Sequence, residues 1–214
     1  MKQSSAVKSF INAPYLLWSV LFIIAPMIMV VYYAFTDRNG DWTLANITAL
    51  GAYSQTFIRS IWYAFVATLI CLVIAYPLAY IMSRSSMSKQ RTIMMLVMLP
   101  MWMNFLIRTY SWITLLANTG IINTLLSKIG IGPLHMINTP GAVILGMVYN
   151  FLPYMILPIY SIMSKLDYRL VEAAQDLGCN SFGVLKRVIF PLSLPGVISG
   201  ITMVFVPSVS TFYI

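Results

Sequence analysis

Four stretches of this chain, 14–35, 61–83, 140–163 and 191–214, contain no charged residue. Each is long enough to cross a bilayer, which takes about 20 apolar residues in a helix. A fifth, 92–113, carries Arg108 as its only charge. Hydrocarbon offers nothing to a free peptide N–H or C=O, so only helices and closed barrels can span it. Continuous apolar runs of this length select helices over alternating barrel strands. The expectation is an all-α membrane protein, a polytopic bundle of transmembrane helices. Composition agrees: 60% of residues are hydrophobic, 8% are charged, and the mean hydropathy is +0.85. Soluble domains carry about a quarter charged residues.

The basic start, with Lys2 and Lys8, leads into the first span at 14–35, with aromatics at both ends as interface anchors. It exceeds a signal-peptide core and no small-x-small cleavage site follows, so we expect an uncleaved helix. Residues 36–60 form a loop of mixed charge. The second span, 61–83, contains Pro77, and the third, 92–113, is expected as one helix. Residues 114–139 follow as a second loop, with a weak helical run after Gly120. The fourth span, 140–163, contains Pro153 and Pro158, and the fifth starts at Pro191. We expect two units: 1–59, with the N-terminal stub, first span and loop, and 60–214, with the remaining spans.

The positive residues orient this bundle. Lys2, Lys8, Arg84, Lys89, Arg91, Lys165, Arg169, Lys186 and Arg187 fall on one side, against Arg38, Arg59 and Lys128 on the other. Cytoplasmic loops hold the lysine and arginine excess. The N-terminus and residues 84–91 and 164–190 are therefore expected in the cytoplasm, with 36–60 and 114–139 outside. The same asymmetry accounts for the net charge of +8 without nucleic acid as a partner.

The longest polar interval on the cytoplasmic side is KLDYRLVEAAQDLGCNSFGVLKRVIFPLSLP, from Lys165 to Pro195. It reads as two short helices with a bend. Asp167 can cap the first, which carries Leu170, Val171, Ala174 and Leu177 along one face. Gly178 stops it, and Ser181 is expected to cap the second. Within the stretch, Glu172-Ala173-Ala174 is followed by three residues, Gly178, nine residues, then Val188, Phe190 and Pro191. This resembles the E-A-A loop of binding-protein-dependent ABC-importer permeases, with Val188 and Phe190 in place of the usual isoleucine and leucine. The resemblance implies a type I ABC-importer permease fold. It also implies that loop 165–191 is a coupling element, with Glu172, Ala173, Ala174 and Gly178 meeting an ATP-hydrolysing partner. Members of this family continue to a sixth span, so the fold is expected to be truncated before it.

No span contains an acidic residue, and no His/Cys/Asp/Glu cluster, nucleophile–base pair or glycine-rich phosphate loop stands out. An enzymatic role, a metal site and a cofactor are not expected, and Cys71 and Cys179 are not expected to pair. The polar residues at membrane depth are the candidates that remain. Asn104 and Arg108 are expected on one helical face. Arg108 reads either as a snorkelling or structural residue or as an outer gate or docking contact. Trp102, Tyr110, Tyr149 and Tyr154 are interfacial or packing aromatics on one reading. On the other, together with Asn104, they line a translocation path through cation–π contacts. Asn150 and Tyr160 lie in the same span.

A narrower resemblance covers residues from about 60 onward. LPMWMNFLIRTYSW, NTGIINTLLSKIGI and NTPGAVILGMVYNFLPYMILPIYSIMSKLDYRLVEAAQDLG are similar to permeases of spermidine/putrescine importers. This implies a polyamine as solute, two ATP-binding cassette subunits, a second permease, an external solute-binding protein and a bacterial inner membrane with its lipids. Two alternatives stay open. One is a permease for an inorganic anion, iron or an amino acid, and the other is a channel or scaffold without an ATPase.

Overall fold

The computed structural model describes residues 14–37, 40–167 and 169–211. Lys2, Lys8, Arg38 and the last residues of the chain lie outside the described residues, and with them the cytoplasmic placement of the N-terminal stub. The chain divides into two units, Met1–Phe57 and Ile58–Ile214.

In the first unit, α1 (Pro14–Ala34) has no buried side chain in the segments on either side of its π-turn. It presents apolar groups all round, as a helix surrounded by lipid or by other membrane helices does. The π-turn spans Val20–Ile24, where the Ala25 N–H reaches the carbonyl of Val20. The wider turn comes just ahead of Pro26, whose ring crowds the preceding turn and whose nitrogen has no proton to donate. Thr36 pairs with Trp42 across the loop. Asn46 Nδ2, on α2 (Ala45–Ala49), donates to the carbonyls of Tyr33 and Thr36, both at 3.1 Å, which closes this loop on itself.

The second unit is built on α3 (Ser54–Ser83), α7 (Pro140–Met163) and α9 (Ser181–Ser210). Helix α3 starts ahead of the expected 61, because nothing after Gly51 interrupts it, and Pro77 sits within it unbroken. Its buried residues Ala64, Ala67, Thr68, Cys71, Ala75 and Ala79 recur at three- and four-residue steps. Small side chains along one stripe let helices approach closely, which drives association where there is no hydrophobic effect to do so. Cys71 Sγ lies 3.8 Å from the Val148 carbonyl on α7, and the Tyr76 hydroxyl lies 3.1 Å from Ser193 Oγ on α9.

Helices α7 and α9 pack together along their length. Gly196 and Gly200, one turn apart, make this possible. A Cβ at Gly196 would stand 2.9 Å from the Pro158 carbonyl oxygen and 3.1 Å from Ile159 Cα. One at Gly200 would stand 2.7 Å from Met155 Sδ. Met147, Met155, Ile156, Ile159, Met163, Val197 and Val204 fill the core around this contact.

The third span is not one helix. The chain forms α4 (Met87–Trp102) and α5 (Phe105–Leu116), and the helical stretch Phe105–Lys128 is bent by 92° from α4. Pro100 removes a donor near the end of α4, and Met103 is extended. Asn104 then caps α5, its side-chain oxygen accepting from the Leu106 N–H at 2.9 Å. The expected shared face of Asn104 and Arg108 is therefore corrected, since Asn104 is a cap outside the helix. A short helix, α6 (Ile121–Lys128), falls in the expected second loop. Asn123, buried, ties that loop to itself by donating to the carbonyls of Ala117 and Leu134. Of the described residues, four helices are long and apolar enough to cross a membrane, and five if the bent pair is one span.

Candidate coupling loop and translocation cavity

The loop between α7 and α9 is built by local rules. Asp167 Oδ1 accepts from the Arg169 N–H at 3.0 Å, opening α8 (Arg169–Asp176). Glu172 lies in its first turn, where a negative charge meets the positive end of the helix dipole. Gly178 ends the helix at φ +83°. Its N–H reaches the Gln175 carbonyl at 2.8 Å, and the Cys179 N–H reaches back to Ala174 at 3.0 Å. This is a Schellman closure, which satisfies the last carbonyls and favours glycine at the left-handed position.

The next cap is Asn180, not the expected Ser181. Its Oδ1 accepts from the Gly183 N–H at 2.8 Å, and Ser181 becomes the first helical residue. The expected short second helix and separate fifth span are one helix, α9. Pro191 does not interrupt it, because a π-turn at Leu185–Ile189 widens the backbone ahead of the proline. Only Val171 and Ala174 of the four apolar α8 residues are buried. Leu177 is 86% exposed and Phe182 71% exposed on either side of the bend. Glu172, Ala173 and Gly178 are exposed with them. Phe182 is not singled out in the sequence, where a lone apolar residue beside a cap carries no mark of its exposure.

Toward the other end of the helices, two cavities meet at Arg108 and Asn150. One of about 160 Å³ is lined by Arg108, Trp112, Ile113, Asn138, Val143 and Asn150, among others. The second, about 280 Å³, is lined by Met101, Phe105, Arg108, Asn150, Phe151, Tyr154, Ser210 and Thr211. Arg108 Nη1 donates to the Pro100 carbonyl at 2.7 Å. Its guanidinium carbon lies 5.8 Å from the centroid of the Phe105 ring and 5.9 Å from that of Tyr149. Trp112 meets Tyr149 edge to face at 5.3 Å. The guanidinium is thus tied to a carbonyl and lies within cation–π reach of both rings, while its Nε is buried with no hydrogen-bond partner among the described residues.

Asn150 is only 9% exposed, and its Oδ1, itself buried, has no hydrogen-bond partner among the described residues. Tyr154 lines the larger cavity, whereas Tyr160 is committed elsewhere, donating to Gln90 Oε1 at 2.7 Å. Trp102 and Tyr110, 79% and 67% exposed, belong to neither cavity wall. Among the described residues no group of His, Cys, Asp and Glu side chains is placed to hold a metal ion.

Residues 75–214 match the family described as binding-protein-dependent transport system inner membrane component. The chain is 42% identical over 207 residues to the spermidine/putrescine transport system permease protein PotB of Haemophilus influenzae. That match covers 92% of this chain and 72% of the relative. It is 36% identical to PotB of Escherichia coli K12, covering 92% and 75%. In fold it is similar to a solved bacterial ABC transporter involved in the import of the acidic polysaccharide alginate. There the TM-score is 0.69 at 20% identity, over 89% of this chain and 69% of that one. With its apolar spans and its in-register E-A-A loop, the chain belongs to the inner-membrane permease family of binding-protein-dependent ABC importers, as a multi-pass, all-helical member.

Proposed function

We propose that this chain is a permease subunit of a polyamine importer, passing spermidine or putrescine inward on ATP hydrolysed by a partner. The observation that carries the reading is the 42% identity to a spermidine/putrescine permease across 92% of the chain. Two features support it. The larger cavity is walled by Phe105, Phe151 and Tyr154, and aromatic faces suit an amine cation. The Glu172–Gly178 bend presents Leu177 and Phe182 to a partner.

On this reading residues 60–214 are the permease domain. Loop 165–191 couples to the ATP-binding cassette subunits through the segment Glu172, Ala173, Ala174 and Gly178, with Ala174 buried beneath the exposed three. A second, PotC-like permease completes the pathway, an external binding protein delivers the solute, and the N-terminus lies in the cytoplasm. Tyr149 and Tyr154 are the path residues nearest the cavities, with Asn104 shaping the break, Trp102 and Tyr110 at the rim, and Arg108 as gate or docking residue. The test is uptake of labelled spermidine by cells lacking their own polyamine importers and supplied with the complete transporter. ATP-dependent accumulation is expected. A complete transporter that moves neither spermidine nor putrescine overturns the reading.

A further inference from the structure

Resting on the polyamine and coupling readings, one side-chain tie beside loop 165–191 takes on a task. Little holds helix α4 to the rest of the second unit. None of its residues is buried, Ile93, Met94 and Val97 are partly covered by the core, and of the other helices it packs chiefly on α7. A cavity of about 250 Å³, lined by Met87, Gln90, Arg91, Met94, Met95 and Tyr160, opens between the two. Methionine side chains re-pack readily, so apolar contact around this gap does little to fix α4 against α7.

A hydrogen-bonded chain spans the gap. The Tyr160 hydroxyl of α7 donates to Gln90 Oε1 of α4 at 2.7 Å. Gln90 Nε2 donates in turn to the Ser85 carbonyl at 2.8 Å, in the turn between α3 and α4. An amide has donors at one end and an acceptor at the other. The Ser85 carbonyl takes only a donor, which turns the Gln90 oxygen toward Tyr160. Both bonds are partly buried, where a hydrogen bond is stronger than in open water. Tyr160 stands one turn before α7 ends at Met163 and the coupling loop begins. Near the far end of α4, the Pro100 carbonyl binds Arg108, which lines both cavities.

We propose that Tyr160 and Gln90 are positioning residues of the transport cycle. Their hydrogen bond makes α4 follow α7 when the coupling loop is moved, and so carries that movement to Arg108 beyond the helix break. Without it, α7 shifts against the methionine-lined gap and α4 lags.

The test is the number of spermidine molecules accumulated per ATP hydrolysed, in proteoliposomes holding the complete transporter with its binding protein. Tyr160→Phe removes one oxygen and leaves the ring. Gln90→Leu removes both ends of the amide and keeps a similar volume, so both complexes should assemble and hydrolyse ATP. Each is expected to lower the ratio about threefold, the scale set by one neutral hydrogen bond. Both break the same bond, so the double variant should fall no further than Gln90→Leu alone. Thr92→Val, on α4 with its hydroxyl bonded to the Ser88 carbonyl of the same helix, should leave the ratio unchanged. An unchanged ratio in Tyr160→Phe or Gln90→Leu, losses that multiply in the double variant, or an equal loss in Thr92→Val overturns the role of the tie while the readings beneath it stand. A wild type that moves no spermidine, or a Gly178→Val transporter that stays fully coupled, overturns the reading beneath and the role of the tie with it.

Discussion

Arg108 Nη1 and the carbonyl oxygen of Pro100, 2.7 Å apart, join the two halves of a helix that turns by 92°. The last carbonyls of a helix have no intrahelical donor, and in hydrocarbon an unsatisfied one costs several kcal/mol. The Pro100 carbonyl also accepts from the Met103 N–H at 3.3 Å, so Arg108 adds a second, charged donor from the first turns of the next helix, where its own N–H is bound to the Asn104 carbonyl.

Arg108→Met is therefore expected to loosen the break. A hydrogen bond from a charged donor contributes about 1.5–3 kcal/mol, so the solubilised complex should unfold at a visibly lower temperature. Arg108→Lys, with a point charge and no fork, should recover part of the loss. A melting temperature in Arg108→Met equal to that of the wild type would show that the tether contributes nothing.

Gly196→Val places a branched side chain against the Pro158 carbonyl and Ile159 backbone, neither of which can move aside alone. Overpacking of this kind costs about 1–3 kcal/mol. Gly200→Ala meets mainly the flexible end of Met155 and should be milder. Thermal unfolding of both purified variants tests the order, and a reversed order would contradict the close approach at Gly196.

Gly178→Val meets no neighbouring atom within 4 Å, so its whole cost is backbone, about 1–2 kcal/mol for a branched residue at positive φ. Gly178→Asn should be tolerated better. Under the proposed coupling role, Gly178→Val uncouples ATP hydrolysis from uptake or blocks assembly. Normal assembly, hydrolysis and uptake together would place coupling elsewhere.

Tyr154→Ala should slow polyamine uptake more than Trp102→Ala, since Tyr154 lines the larger cavity and Trp102 does not. One cation–π contact is worth about 0.5–2 kcal/mol, so uptake should fall without vanishing. Equal rates in wild type and Tyr154→Ala would remove this ring from the path.

Orientation is open to a chemical test. With Cys71 and Cys179 replaced, a cysteine at position 89 should resist a membrane-impermeant thiol reagent applied to intact cells, and one at Ile131 should react. Labelling at 89 from outside would invert the proposed topology.

The helices were largely legible because hydropathy reads directly on membrane depth. The span 140–163 emerges with the expected bounds, and Asp167 and Gly178 cap as their chemistry suggests. The broken third span was not, although Pro100 and Asn104 both mark it. An averaged apolar run passes through such signals, and only the geometry of a cap reveals which peptide leaves the helix. At Asn180-Ser181 two good capping residues stand side by side, and local pattern cannot choose between them. The cavity is illegible for a different reason. Asn150, Arg108 and Ser210 come from three helices, and their meeting depends on the α7–α9 approach that Gly196 and Gly200 permit.

Helix α9 runs unbroken for 30 residues, about 45 Å at helical rise, from the Asn180 cap to the cavity wall at Ser210. Its tightest contact with α7, at Gly196 and Gly200, lies near its midpoint. That makes the helix a lever with a fulcrum. Under the proposed coupling role, a push at the bend end would reach Ser210 as a swing of like size in the opposite sense, with no relay of side chains between. The π-turn at Leu185–Ile189, with Pro191 and Pro195 beyond it, lies in the bend-side arm, so stiffening or softening these links would tune how much of the stroke reaches the cavity.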